Sequence, residues 1–124
     1  MARLLIIEDD RNQCALYTEE LSDDGHDVVC ASQGAEALLV VKTQPPDLVI
    51  SDILLPGMTG IEIMEQLLTV APNLPVIIHS AYSSPRLDYM AGLAYAYVLK
   101  SGDLEELKYH IRTALMQGRS RPVD

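Results

Sequence analysis

A chain of 124 residues that is 48% hydrophobic can bury about two-thirds of the surface its unfolded form exposes, enough for one independent core without a second domain. Eighteen acidic residues against nine basic ones leave a net charge of -9, which argues against a binder of nucleic-acid backbones, because that affinity comes largely from Lys and Arg displacing counterions. Cys14 and Cys30 show no CxxC or Cys/His spacing, so neither a zinc site nor a disulfide framework is indicated, and both read as core or half-buried thiols in a reducing compartment.

Apolar periodicity predicts alternating strands and helices. The first strand covers roughly Arg3 to Glu8, and its run LLII is too short for a signal peptide or membrane span, which leaves a cytosolic location by default. Cys14, Tyr17 and Leu21 then recur at the spacing of one helix face, and Gly25 is placed to stop that helix in a left-handed turn. A short strand from Val28 to Ala31 leads into a helix from about Gly34 to Lys42 with Ala35, Leu38 and Val41 on one side. Pro45 and Pro46 break it and reset the chain to extended geometry.

Leu48 to Ser51 is mostly apolar without alternation, as expected of a central parallel strand covered on both faces, and it ends at Asp52. The loop LLPGMTG follows, and Thr59 with Glu62 has capping-box spacing for a helix that runs to about Val70. Val76 to His79 is the fourth strand, Arg86 to about Leu93 a short helix and Tyr95 to Leu99 the fifth strand. Asp103 and Glu106 frame the last helix, with Leu104, Leu107, Ile111 and Leu115 facing the core. Residues 1–118 form the domain, and the polar end, 119–124, is a frayed tail or the start of a linker.

Five such units with short connections specify a single doubly wound α/β domain of the flavodoxin-like kind, a (βα)5 fold with a parallel sheet in the order 2-1-3-4-5. Four strands end in a polar residue at the carboxyl edge, where open α/β sheets bind ligands: Glu8 and Asp9, Asp52, Ser80, and Lys100. In that order the first and third strands are neighbours about 4.8 Å apart, so Asp9 and Asp52 can share a cation. Lys100 lies two strands from Asp52, about 10 Å away, a gap that a Lys stem can largely bridge.

At these positions the chain resembles the receiver domains of two-component response regulators. The resemblance runs from LLIIEDD through PPDLVISDILLPGMTG and VIIHSAY to YVLK, and the ordered set is far more specific than any one motif. It implies that Asp52 is the phosphoacceptor and that Glu8 and Asp9 are the acidic pair holding Mg²⁺ (or Mn²⁺), with the backbone carbonyl of Leu54 as a further ligand. It further implies that Ser80 bonds a phosphoryl oxygen, that Lys100 is the basic partner, and that Tyr97 changes rotamer as the switch aromatic. The implied partners are a sensor histidine kinase or phosphotransfer protein, and an effector domain or second copy at the fourth helix, fifth strand and fifth helix. Tyr89, Met90, Tyr95, Tyr97, Lys108 and Arg112 belong to that face. This domain itself would bind neither nucleic acid nor membrane.

Phosphoryl chemistry suits these residue types. A carboxylate attacking phosphorus needs its own charge and that of the incoming group neutralised, which calls for a hard cation on oxygen ligands, with Asp9 and Asp52 direct and Glu8 through water. Asp10 alone reads more simply as a charge favouring the start of the next helix. His26, His79 and His110 lack partners at catalytic spacing and read as structural or exposed.

Two positions depart from the family. Ser101 follows Lys100 where receivers usually carry a proline with a cis bond, so a trans bond and an altered loop are expected. Leu54 and Tyr82 flank the phosphoryl position and are bulky, which implies slow autodephosphorylation. The competing readings are a degenerate receiver acting as a phosphorylation-independent interaction module, and an aspartyl-phosphate phosphatase, which would need a second acid/base Asp where Leu54 stands.

Overall fold

The computed structural model describes residues 2–52, 54–55, 58–80, 94–100 and 104–120. Its elements are β1 (Arg3–Ile7), α1 (Arg11–Asp23), β2 (Asp27–Ala31), α2 (Gly34–Thr43), β3 (Leu48–Ser51), β4 (Leu54–Leu55), β5 (Met58–Thr59), α3 (Gly60–Val70), β6 (Val76–Ser80), β7 (Ala96–Leu99) and α4 (Glu105–Ser120). β2, β1, β3, β6 and β7 form one parallel sheet in that order, which is 2-1-3-4-5 counted along its own strands.

The central strands are buried on both faces because their side chains alternate between two cores. Leu4, Ile6, Leu48, Ile50, Ile77 and Val98 point to the side covered by Tyr17 and Leu21 of α1 and by Leu107, Ile111 and Ala114 of α4. Leu5, Ile7, Val49, Val76 and Ile78 point to the other side, under Ala37 and Val41 of α2 and Ile63, Met64 and Leu67 of α3. Helices on both faces leave the carboxyl edge of the sheet as the open crevice.

α1 is held at both ends by its own sequence. Asp10 is its N-cap and accepts hydrogen bonds from the backbone N–H groups of Asn12 and Gln13 at 2.8 and 3.3 Å. At the other end Gly25, with φ of 91°, takes the left-handed conformation, so that its N–H reaches Ser22 O and that of His26 reaches Leu21 O. The expected stop at Gly25 holds, whereas Asp10, expected only as a charge favouring the helix start, acts as its side-chain cap.

Several details differ from expectation. In α2 the buried stripe is Gly34, Ala37 and Val41, while Ala35 is exposed, because α2 lies on the sheet through its small residues. The expected loop after Asp52 contains a two-residue antiparallel bridge between β4 and β5. α4 runs to Ser120, two residues into the polar segment 119–124. The expected helix at 86–93, the residues Tyr82, Tyr89, Met90 and Asp103, the Lys100–Ser101 bond and residues 121–124 lie outside the described residues. No described helix is long and apolar enough to cross a membrane.

The reading of Cys14 and Cys30 as thiols is corrected, since the two form a disulfide across a separation of 16 residues. The reason is tertiary: α1 packs directly on β2, which brings together two cysteines that no sequence motif pairs.

Candidate functional site

The backbone ladder carries the site one step beyond the strands. Asp52 N–H donates to Ile7 O at 3.2 Å and Lys100 N–H to Ser80 O at 2.7 Å, so both residues are fixed where the sheet stops. From there the Lys100 side chain crosses the end of β6 and places its Nζ 2.8 Å from Asp52 Oδ2 and 2.9 Å from Glu8 Oε1. One ammonium thus joins carboxylates delivered by β1 and β3. The sequence spacing anticipated contact with Asp52; the second bond, to Glu8, has no sequence signal.

Burial governs the protonation of this group. Glu8 is only 4% exposed, and burial pushes its carboxyl above the ordinary range, an effect that its bond to Lys100 partly offsets. For Lys100, burial pulls the other way, but the bonds to Asp52 and Glu8 outweigh it and hold the ammonium well above the usual lysine value. The ammonium therefore stays charged throughout the physiological range. Asp9 is exposed beside this group, and Asp10 serves as the helix cap described above.

Ser80 is fully buried, and its side chain hydrogen-bonds Tyr97 on the adjacent strand. Burial raises the Tyr97 phenol above its ordinary value, with the Ser80 bond opposing. Ser80 and Tyr97, expected to act together in switching, are joined here by a direct bond that the sequence reading did not anticipate. Of the expected output face, Tyr95 donates from its hydroxyl to Thr113 at 3.1 Å, and Lys108 bonds Glu20 of α1 at 3.1 Å. Both side chains therefore bind within the domain.

The donors fit a hard divalent cation. Mg²⁺ takes carboxylate and carbonyl oxygen with retained water, typically through one or two carboxylates, and Glu8, Asp9 and Asp52 at one sheet edge offer that chemistry. Among the described residues no cluster of three His, Cys, Asp or Glu side chains is drawn together as a ready-made site. The Lys100 ammonium lies where Glu8 and Asp52 converge, so positive charge already occupies part of the space in which a cation would be bound.

Beneath the edge lies a pair that sequence reasoning missed. Tyr17 and His79, 2% and 4% exposed, share a hydrogen bond of 2.5 Å between the phenol oxygen and Nδ1. Burial, with a lesser contribution from the Lys100 charge, lowers the His79 pKa from 6.5 to about 4, so the ring is neutral in this pair. Because the folded pKa is depressed, this stabilisation is present above pH 6.5 and is lost as pH falls toward about 4. Urea denaturation is expected to show wild type losing about 2 kcal/mol more than His79→Gln between pH 7 and pH 4. Parallel pH curves for the two proteins would contradict this.

Comparison with known proteins identifies the family of the fold. Residues 4–112 match the response regulator receiver domain family. The chain is 32% identical over 118 residues to the transcriptional regulatory protein ZraR of Klebsiella oxytoca, covering 94% of this chain and 27% of that protein. It is 30% identical over 125 residues to the DNA-binding response regulator MtrA of Mycolicibacterium smegmatis, covering 98% and 54% respectively. The chain thus spans about a quarter to a half of these relatives. Among solved structures, the response regulator TrrA of Thermotoga maritima, in complex with Mg(2+)-BeF, superimposes with a TM-score of 0.86 at 34% identity, over 92% of this chain and 99% of that one. With the sheet order and the match over most of its length in agreement, the chain belongs to the receiver domains of two-component response regulators.

Proposed function

We propose that this domain accepts a phosphoryl group on Asp52 from a phosphohistidine of a sensor histidine kinase or phosphotransfer protein, or from a small acyl phosphate. The observation that carries this reading is the Lys100 ammonium held between Glu8 and Asp52 at the carboxyl edge. An Asp52 oxygen attacks phosphorus, the bond from phosphorus to the donor nitrogen or oxygen breaks, and the donor leaves with that electron pair. Lys100 stabilises the phosphoryl oxygens that face it, as a compact point charge.

Asp9 and Asp52 are the direct ligands of Mg²⁺ in this reading, with Glu8 acting through water and Leu54 through its backbone carbonyl. The Mg(2+)-BeF complex of the Thermotoga maritima protein supports that choice of ion. When bound, the cation supplies the charge that offsets the incoming phosphoryl oxygens.

Ser80 couples the phosphoryl group to Tyr97 by exchanging partners. A Ser80 hydroxyl that turns to a phosphoryl oxygen leaves Tyr97, and the ring is then free to change rotamer and alter the surface at β7 and α4. The domain is a cytoplasmic signalling module without a turnover substrate. Its output passes to an effector domain or a second copy.

Intact mass tests the reading. With MgCl2 and acetyl phosphate the wild-type chain is expected to gain one phosphoryl group and Asp52→Asn none; no gain by the wild type overturns it. Autodephosphorylation is slow in this reading, an expectation that rests on the bulk of the residue types Leu54 and Tyr82 at positions the family resemblance places beside the phosphoryl group. Leu54→Asn combined with Tyr82→Glu is expected to shorten the phosphorylated lifetime, and an unchanged lifetime rejects that role.

A further inference from the structure

The cleft beside the acidic pair holds chemistry that phosphoryl transfer does not use. Cys14, in the first turn of α1, and Cys30, next to last in β2, are bridged with their Cα atoms 6.3 Å apart, within the span of about 4.4–6.8 Å usual for disulfides. Both are half-buried. With Glu8, Asp9, Ser32 and Glu36 they line a cleft of about 530 Å³, a size that admits small molecules. The sulfurs therefore lie where a small thiol can reach them.

The reduced form is provided for as well. Cys14 Sγ is 4.0 Å from Glu8 O, and Cys30 Sγ is 3.8 Å from Cys14 O, so each thiol hydrogen has a carbonyl acceptor in place. A thiol released at either position would have a carbonyl acceptor close by in the same local framework.

That framework carries the acidic pair. Cys14 N–H donates to Asp10 O at 3.0 Å, and Glu8 N–H donates to Ala31 O at 2.9 Å, one residue beyond Cys30. The segment Glu8-Asp9-Asp10 thus hangs between the two pieces of backbone that the disulfide ties together. With the bridge closed, the start of α1 and the end of β2 cannot separate, and the segment has fewer conformations to lose when it takes up a cation.

We propose that Cys14 and Cys30 form a reversible thiol–disulfide site for low-molecular-weight thiols and disulfides, whose closure raises the affinity of the adjoining acidic pair for a divalent cation. In closure one cysteine thiolate attacks a small disulfide, breaks its S–S bond and releases one small thiol. The second cysteine then attacks the mixed disulfide and releases the other. The cysteine pair loses two electrons and two protons, which the small disulfide gains as it becomes two thiols; a small dithiol reverses the exchange. In a reducing compartment such a bridge is transient and regulatory. The cation coupling rests on the receiver reading of Glu8 and Asp9, whereas the sulfur chemistry does not.

The test treats the full chain with cystamine or with dithiothreitol, removes the reagent, and reads intact mass after iodoacetamide. The cystamine-treated chain is expected to carry neither alkyl groups nor cysteamine adducts, and the reduced chain two alkyl groups. Calorimetric titration with MgCl2 is expected to show about fivefold tighter binding to the oxidised chain, a difference that disappears in Cys30→Ser. Alkylated thiols or stable cysteamine adducts after cystamine, or an affinity ratio below about threefold, overturn the proposal. Acetyl phosphate added in parallel separates the two readings. Phosphoryl uptake by a chain that never closes its disulfide rejects the redox site alone, while a closed disulfide with tighter MgCl2 binding but no phosphoryl uptake rejects the receiver reading alone.

Discussion

Lys100→Met is expected to lower stability by about 2 kcal/mol in cation-free buffer, and MgCl2 is expected to recover much of that loss. The substitution keeps most of the stem but leaves the carboxylates of Glu8 and Asp52 facing each other without the ammonium that bridges them at 2.9 and 2.8 Å. Removing one partner from a fully buried ion pair costs roughly 3–5 kcal/mol, because the remaining charge stays desolvated. Lys100 and Asp52 are 21% and 14% exposed, so water screens part of the repulsion and the expected cost is smaller. A divalent cation at the same edge replaces the missing charge, so it should stabilise the variant more than the wild type. Urea denaturation of both proteins with and without MgCl2 measures this. Equal midpoints in cation-free buffer would show that the bridge contributes nothing to folding.

Leu5→Ala is expected to cost about 3 kcal/mol, within the range of roughly 2–5 kcal/mol for such truncations in a core. Leu5 is fully buried in β1, which has a strand on either side, and its side chain belongs to the core under α2 and α3. The neighbours are held by the sheet ladder and by two helices, so the cavity left by the missing atoms can close only partly. Against a total of about 5–15 kcal/mol for an ordinary domain, that is a large fraction. Leu39→Ala serves as the contrast: Leu39 is 60% exposed on α2, and its truncation is expected to stay within about 0.5 kcal/mol. Thermal or urea melts that place the two variants together would contradict the assignment of the core.

The legible part of the fold is the part written in local patterns. The runs LLII, LVIS and VIIH were read as strands, LVIS as one covered on both faces, and they appear at Arg3–Ile7, Leu48–Ser51 and Val76–Ser80. Gly25 acts through its own backbone neighbourhood, so the end of α1 was equally readable, while Asp10 was read as a charge at the helix start and not as its cap. In α2 the helix, Leu38 and Val41 match the reading and only Ala35 misses, because Ala35 and Ala37 have the same hydrophobicity and the helix's orientation on the sheet decides which is covered.

Sequence alone determined that the chain alternates strands with helices and that Glu8, Asp9, Asp52, Ser80 and Lys100 stand at strand ends. Periodicity and strand order are enough for that, because every parallel strand points its last residue to the same edge. The tertiary structure decided which of these groups touch. It joined Lys100 to Glu8 as well as Asp52, bonded Ser80 to Tyr97, set His79 against Tyr17 and paired Cys14 with Cys30. Such contacts depend on where whole helices and strands settle against one another and on how far each side chain reaches, quantities fixed by packing over the entire domain and encoded in no short stretch of sequence.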